Sequence, residues 1–185
     1  VAVDAAQQLK KRGGWLILDE AFIDPTPEES LTPLAGTDEA PNLIVFRSLG
    51  KFFGLAGARV GFLFAAPDLL ARMADAMGPW AVAGPSRELA RQALQDLGWQ
   101  AATRAALSAA GQRLHDMLQD LGEVRSTALF STLTIHQSGE CHEFLARRGI
   151  LVRRFEQQPL LRFGLPGCET DWQRLQTAIT AWKTA

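Results

Sequence analysis

The sequence predicts an α/β fold in two parts: a larger part with a mostly parallel sheet over residues 1–104, then a small α+β domain over residues 105–185. Three observations carry this. Short, largely apolar runs at Trp15–Leu18, Leu43–Phe46 and Val60–Ala65 have the length of buried strands. From about residue 105 the chain instead alternates helical patterns with short strands. A long helical pattern between the two regions bridges them.

Composition narrows the function. Apolar residues make up 47% and charged residues 21% of the 185, enough apolar matter for a core. A net charge of −1 leaves no basic footprint for nucleic acid and no polybasic membrane patch. No apolar run approaches a membrane span. The charged start VAVDAAQQLKKRGGW is unlike a signal peptide, and two cysteines outside any C-x-x-C pair suit a reducing cytoplasm. The chain begins with Val1, not Met, and is expected to be a piece of something longer.

In chain order, Val1 to Arg12 is expected as a helix stopped by Gly13-Gly14. The first strand follows and ends in Asp19-Glu20. Asp24 to Pro41, rich in Pro, Thr and acids, is a loop with room for one helical turn. The second strand, a glycine-punctuated loop over Ser48–Arg59 and the third strand come next. Pro67 opens a helix to about Met77, because proline suits the first turn. Gly78-Pro79 and Gly84-Pro85 interrupt the chain before helices at about Ser86–Leu97 and Trp99–Leu121. Val124–Ile135 is β-rich, with a turn near Ser126. Ser138 would cap a helix that runs to Arg148 and stops at Gly149. Ile150–Arg153 and Leu160–Phe163 are expected strands, and a final amphipathic helix begins at Thr170 or Asp171.

The densest chemical signal is the stretch Arg47–Gly61, RSLGKFFGLAGARVG. Four glycines in it permit close approach to a ligand. The hydroxyl of Ser48 and the guanidinium of Arg59 suit a phosphate. Lys51, among Phe52, Phe53 and Leu55, would be desolvated, which favours the neutral, nucleophilic amine. Lys51 is also the one lysine of four away from the chain ends, the others being Lys10, Lys11 and Lys183. The spacing fits neither a Walker A loop nor G-x-G-x-x-G. Asp19 closes a strand at the sheet edge where open α/β folds bind ligands. A buried carboxylate there needs a cation, and a pyridinium nitrogen is one; a strand-end carboxylate capping a turn is the plainer alternative.

Asp19-Glu20-Ala21-Phe22, Ser48-x-x-Lys51 and Gly54-Leu55-x-Gly57-x-Arg59-x-Gly61 together resemble the fold-type I pyridoxal-phosphate enzymes of the class I/II aminotransferase family. Gly78-Pro79-Trp80-Ala81-Val82 and Leu161-Arg162-Phe163-Gly164-Leu165-Pro166 resemble more particularly its threonine-phosphate decarboxylase branch. The resemblance covers nearly the whole chain and implies pyridoxal 5'-phosphate as cofactor. It assigns Asp19 to the pyridine nitrogen, Lys51 to the covalent link, Ser48 and Arg59 to the cofactor phosphate, and Arg162 to the substrate carboxylate. Phe22 departs from the tyrosine of many aminotransferases and cannot hydrogen-bond the cofactor's phenolic oxygen. Intact members are about twice as long. Their upstream half supplies backbone phosphate donors, a ring stacked on the cofactor and about half the sheet, so this chain is similar to a second half.

The resemblance further implies a cytoplasmic homodimer acting on a small phosphorylated amino acid, with the site near the interface. Decarboxylation in cobalamin biosynthesis is the leading expectation. A histidinol-phosphate-type aminotransferase, or an aminotransferase-like sensing domain of a transcription regulator, is the alternative. Arg147, Arg148, Arg153 and Arg154 would either meet a substrate phosphate or decorate a solvated helix end. Arg162 itself would otherwise lie along the surface of the small domain. The spacing of His136, Cys141, His142 and Cys168 matches no zinc pattern, so no metal is expected. Trp99, Trp172 and Trp182 read as core or interface residues.

Overall fold

A computed structural model describes residues 2–184. Val1, where the first expected helix begins, lies outside the described residues. By its contacts the chain divides between Gly98 and Trp99 into two compact units. Among the described residues, no helix is long and apolar enough to cross a membrane.

The first unit opens with α1 (Ala2–Lys10), which buries Ala6. Gly13, at φ +69°, ends that turn, and Gly14 N–H closes on Leu9 O at 2.9 Å. Strands β1 (Leu16–Asp19) and β2 (Leu43–Ser48) pair in parallel, with Leu18 opposite Val45 and Asp19 opposite Phe46. Between them run two single 3-10 turns, Pro27–Glu29 and Thr32–Leu34, each with a proline in its first positions. Asn42 ties the start of β2 to α1, its amide donating to Ala6 O and Gly14 O, both at 2.8 Å.

The third strand, β3 (Gly61–Phe64), runs antiparallel to β2. The three-stranded sheet, order β1-β2-β3, is therefore mixed, where a mostly parallel one was expected. The cause is the connection. Residues 49–60 hold one 3-10 turn, Ala56–Ala58, and no crossover helix to carry the chain back for a parallel return. A small core of Ala6, Ala40, Leu43 and Val45 lies beneath, joined by Leu16, Leu18 and Phe64. Helices α2 (Pro67–Met77) and α3 (Gly84–Gln95) follow, and α3 packs on the 3-10 turn.

Helix α4 (Leu97–Leu118) leads into the second unit, whose sheet is antiparallel throughout in the order β4-β5-β7-β6. Its strands are β4 (Glu123–Ser126), β5 (Phe130–Thr134), β6 (Arg153–Phe155) and β7 (Leu160–Gly164). The period of two is plain: Ser131, Leu133, Leu161 and Phe163 are buried while Thr132 and Arg162 take the other face. The buried face meets Leu114 and Leu118 of α4, Cys141 and Leu145 of α5 (Ser138–Ala146), and Trp172, Leu175 and Ile179 of α6 (Glu169–Lys183).

Two local expectations are corrected here. Ser138 is the first helical residue of α5 and not its cap; Gln137 takes that place, its carbonyl accepting from Cys141 N–H. The strand expected at Ile150–Arg153 starts only at Arg153. Gly149 (φ +71°) reverses the chain and Ile150 N–H returns to Leu145 O at 3.0 Å, so Ile150 is used in closing α5.

Candidate active site

The parallel pair β1 and β2 ends at one edge of the first unit's sheet. Asp19 is the last residue of β1, Ser48 the last of β2, and Lys51 follows three residues later. In the loop, Phe52 and Phe53 turn into the unit, edge to face with ring centres 5.0 Å apart, and anchor it. Gly54, at φ +67°, supplies the left-handed residue that the reversal requires.

Ser48, Gly50, Lys51, Ala56, Arg59 and Gly61 are among the residues lining one cavity of about 290 Å³. The Ser48 hydroxyl accepts from Gly50 N–H at 3.0 Å. A Cβ on Gly50 would stand 3.2 Å from that oxygen and 3.4 Å from Ala56 Cα, so a side chain there would crowd the cradle. Arg59 has φ +54°, the only positive φ among the described non-glycine residues, and costs about 1–2 kcal/mol relative to an ordinary conformation. Its guanidinium donates to Ala56 O at 3.1 Å. A hydroxyl, an amine and a guanidinium around one cradle fit the phosphate and aldehyde ends of pyridoxal phosphate.

Lys51 and Asp19 differ from expectation in burial. Lys51 is exposed, because the two phenylalanines that follow it, not the lysine, fill the interior. Its ammonium lies 5.4 Å from the centre of the Phe22 ring. Asp19 is exposed too, since β1 pairs with β2 alone among the described residues. One carboxylate oxygen of Asp19 accepts from Ala21 N–H at 2.9 Å, which fixes the turn after β1.

Two acidic residues beside the site escaped the sequence reading. Buried Glu20 accepts from Ser30 Oγ (2.6 Å), Leu31 N–H (2.7 Å) and Thr32 Oγ1 (3.1 Å), latching the 3-10 loop behind Asp19. Asp24, also buried, pairs with Arg47, the residue before Ser48. A charged residue directly after an apolar run, as Arg47 is after Leu43–Phe46, was the available signal that an acid must lie near it.

In the second unit, Arg162 is half-buried on the outer face of β7, opposite Thr132 on β5 and Arg153 on β6. Its guanidinium stands over Phe130, 5.3 Å from the ring centre. Of the four clustered arginines, Arg153 alone is Arg162's cross-strand neighbour. Arg147 bonds Glu143, Arg148 stacks on Phe144, and Arg154 lies at Gly139. A cavity of about 790 Å³ between α4 and α6 is a polar groove spanned by Arg113–Glu169 and Lys183–Asp120. It contains none of the candidate site residues named from the sequence.

A cradle beside a strand-end lysine, on a mixed α/β sheet followed by a small α+β unit, defines the class. The chain belongs to the aminotransferase class I and II family, whose family model matches residues 3–181, a family of fold-type I pyridoxal-phosphate enzymes. It is 48% identical over 178 residues to the threonine-phosphate decarboxylase of Pseudomonas aeruginosa, covering 95% of this chain and 53% of that protein. A histidinol-phosphate aminotransferase of Aeromonas hydrophila is 30% identical over 156 residues, 78% of this chain and 42% of that one. The crystal structure of histidinol-phosphate aminotransferase from Clostridium acetobutylicum superposes with a TM-score of 0.85 at 18% identity, over 99% of this chain and 58% of that one. The chain thus spans about half the length of the curated relatives it matches.

Proposed function

We propose that this chain serves a pyridoxal-phosphate-dependent decarboxylase that converts L-threonine O-3-phosphate to aminopropanol phosphate for cobalamin biosynthesis. The observation that carries the choice is the 48% identity to a threonine-phosphate decarboxylase, against 30% to a histidinol-phosphate aminotransferase. When bound, the cofactor would accept the electron pair left at Cα as the carboxylate departs as carbon dioxide. Ser48 and Arg59 would hold its phosphate, and Lys51 would bind its aldehyde carbon. Asp19 would keep a proton on the pyridine nitrogen. Lys51, once displaced by substrate, would return a proton to Cα.

Arg162 would take the substrate carboxylate. Arg153, its cross-strand neighbour, is the member of the cluster suited to the substrate phosphate. Like charges directly opposite on a sheet are destabilising, and among the described residues neither arginine has an acidic partner. Such a pair suits a ligand that brings two anionic groups. The family resemblance adds a cytoplasmic homodimer to the proposal, which light scattering on the full-length protein checks for the oligomer.

The test is direct. Full-length enzyme given L-threonine O-3-phosphate is expected to release carbon dioxide without consuming a keto acid. Keto-acid-dependent amino transfer from histidinol phosphate, with no carbon dioxide from phosphothreonine, would move the assignment to the aminotransferase branch.

A further inference from the structure

The two arginines on the outer face of the second sheet are each backed by an aromatic ring. The Arg162 guanidinium lies 5.3 Å from the centre of Phe130 and that of Arg153 5.2 Å from the centre of Phe155. The register explains the first stack. Arg162 stands opposite Thr132, and Phe130 is two residues away on the same face of β5, a diagonal neighbour. Directly opposite Phe130 is Gly164, which puts no side chain over the ring. The second stack is within β6, where residues two apart share a face. Neither guanidinium has a salt bridge or hydrogen bond among the described residues.

A guanidinium with no acid to hold it would sample many rotamers, and two of them side by side would repel apart. A ring beneath each one supplies attraction without consuming its N–H donors, which stay available for an incoming anion. We propose that Phe130 and Phe155 are positioning residues for an anion clamp: Phe130 holds Arg162 for the substrate carboxylate, and Phe155 holds Arg153 for the substrate's second anionic group. This rests on the reading of Arg162 and Arg153 given above.

The experiment measures binding of 3-phosphonopropionate to the full-length holoenzyme by calorimetry; the probe carries both anions and no amine, so it cannot react. Phe130→Leu is expected to weaken binding roughly 3- to 10-fold, and Phe130→Trp, which keeps a π face, to restore most of it. In an Arg162→Gln background, Phe130→Leu should cause no further loss, because the ring acts only through that arginine. Phe155→Leu should behave likewise against Arg153→Gln, and should also weaken inorganic phosphate, which Phe130→Leu should leave unchanged. Losses that multiply in the double variants would show a merely structural effect and overturn the proposal. So would wild-type affinity in Phe130→Leu alongside impaired Arg162→Gln. Unimpaired binding in Arg162→Gln would instead sink the carboxylate reading itself, and the proposal with it.

Discussion

Arg47, in β2 just before the lysine loop, donates to the buried carboxylate of Asp24, which comes from the loop after β1. The pair joins the two segments that carry the candidate residues: Asp19 lies five positions before Asp24, and Ser48 directly follows Arg47. Asp24→Asn keeps the volume and strands a partly buried guanidinium. Because Arg47 is 24% exposed, the expected loss is about 2–3 kcal/mol, below the full cost of breaking a buried pair. Urea unfolding of the full-length protein should show a lower midpoint with an unchanged slope. Arg125→Gln is the control: its pair with Glu123 is exposed on both sides and should cost less than about 1 kcal/mol.

Lys51 is expected to hold the cofactor in the full-length enzyme. It follows β2 at the cradle, and the remaining lysines are near the chain ends, Lys10 in α1, Lys11 in the turn after it and Lys183 in α6. The covalent link absorbs in the visible, so Lys51→Ala should lose that band. A Lys51→Ala protein that is still labelled irreversibly by borohydride would place the link on another residue.

By itself the 185-residue chain should bind pyridoxal phosphate weakly. Ser48, Lys51 and Arg59 line a cradle open to solvent, and the backbone phosphate donors that the family resemblance puts upstream are not among these residues. Charge-assisted hydrogen bonds contribute about 1.5–3 kcal/mol each, so losing several costs many decades of affinity. Among the described residues β1 also has one unpaired edge, with Trp15 and Ile17 exposed, an invitation to aggregate. Absorbance titration decides the point; a submicromolar Kd would contradict it.

The two thiols should respond differently to reagents. Cys141 is buried in the second unit's core, and burial pushes its thiol from 9.0 up to about 11. Cys168 is exposed at the start of α6, where its thiol donates to Asp171 at 3.2 Å. A thiol-specific aromatic disulfide should therefore modify Cys168 in the native protein and Cys141 only after denaturant. A folded value above the unfolded one also means stability that is complete below pH 9 and is lost as pH rises toward about 11. Cys141→Ala should lose less stability across that window than the parent does.

What the sequence by itself determined are features whose causes are local. Proline at a first turn placed α2 from Pro67 to Met77. Gly13 ended α1, and unbroken apolar runs marked β1 and β2. The lysine loop was legible because glycines, a hydroxyl and two kinds of cation are contiguous in it. Tertiary structure decided what depends on distant partners. The direction of β3 followed from a connection too short for a crossover, and the late start of β6 from the way α5 closes at Gly149. The mate of Arg162 could not be chosen among four arginines until the register of β6 against β7 set Arg153 opposite it, because a shift of one residue would have presented Arg154 instead. Asp24 was hidden for the same reason. Its partner is 23 positions away, and nothing in the loop around it reveals that the chain will bury a carboxylate against Arg47. Composition and period act over a few residues, while register and ion pairing are settled by packing across the sheet.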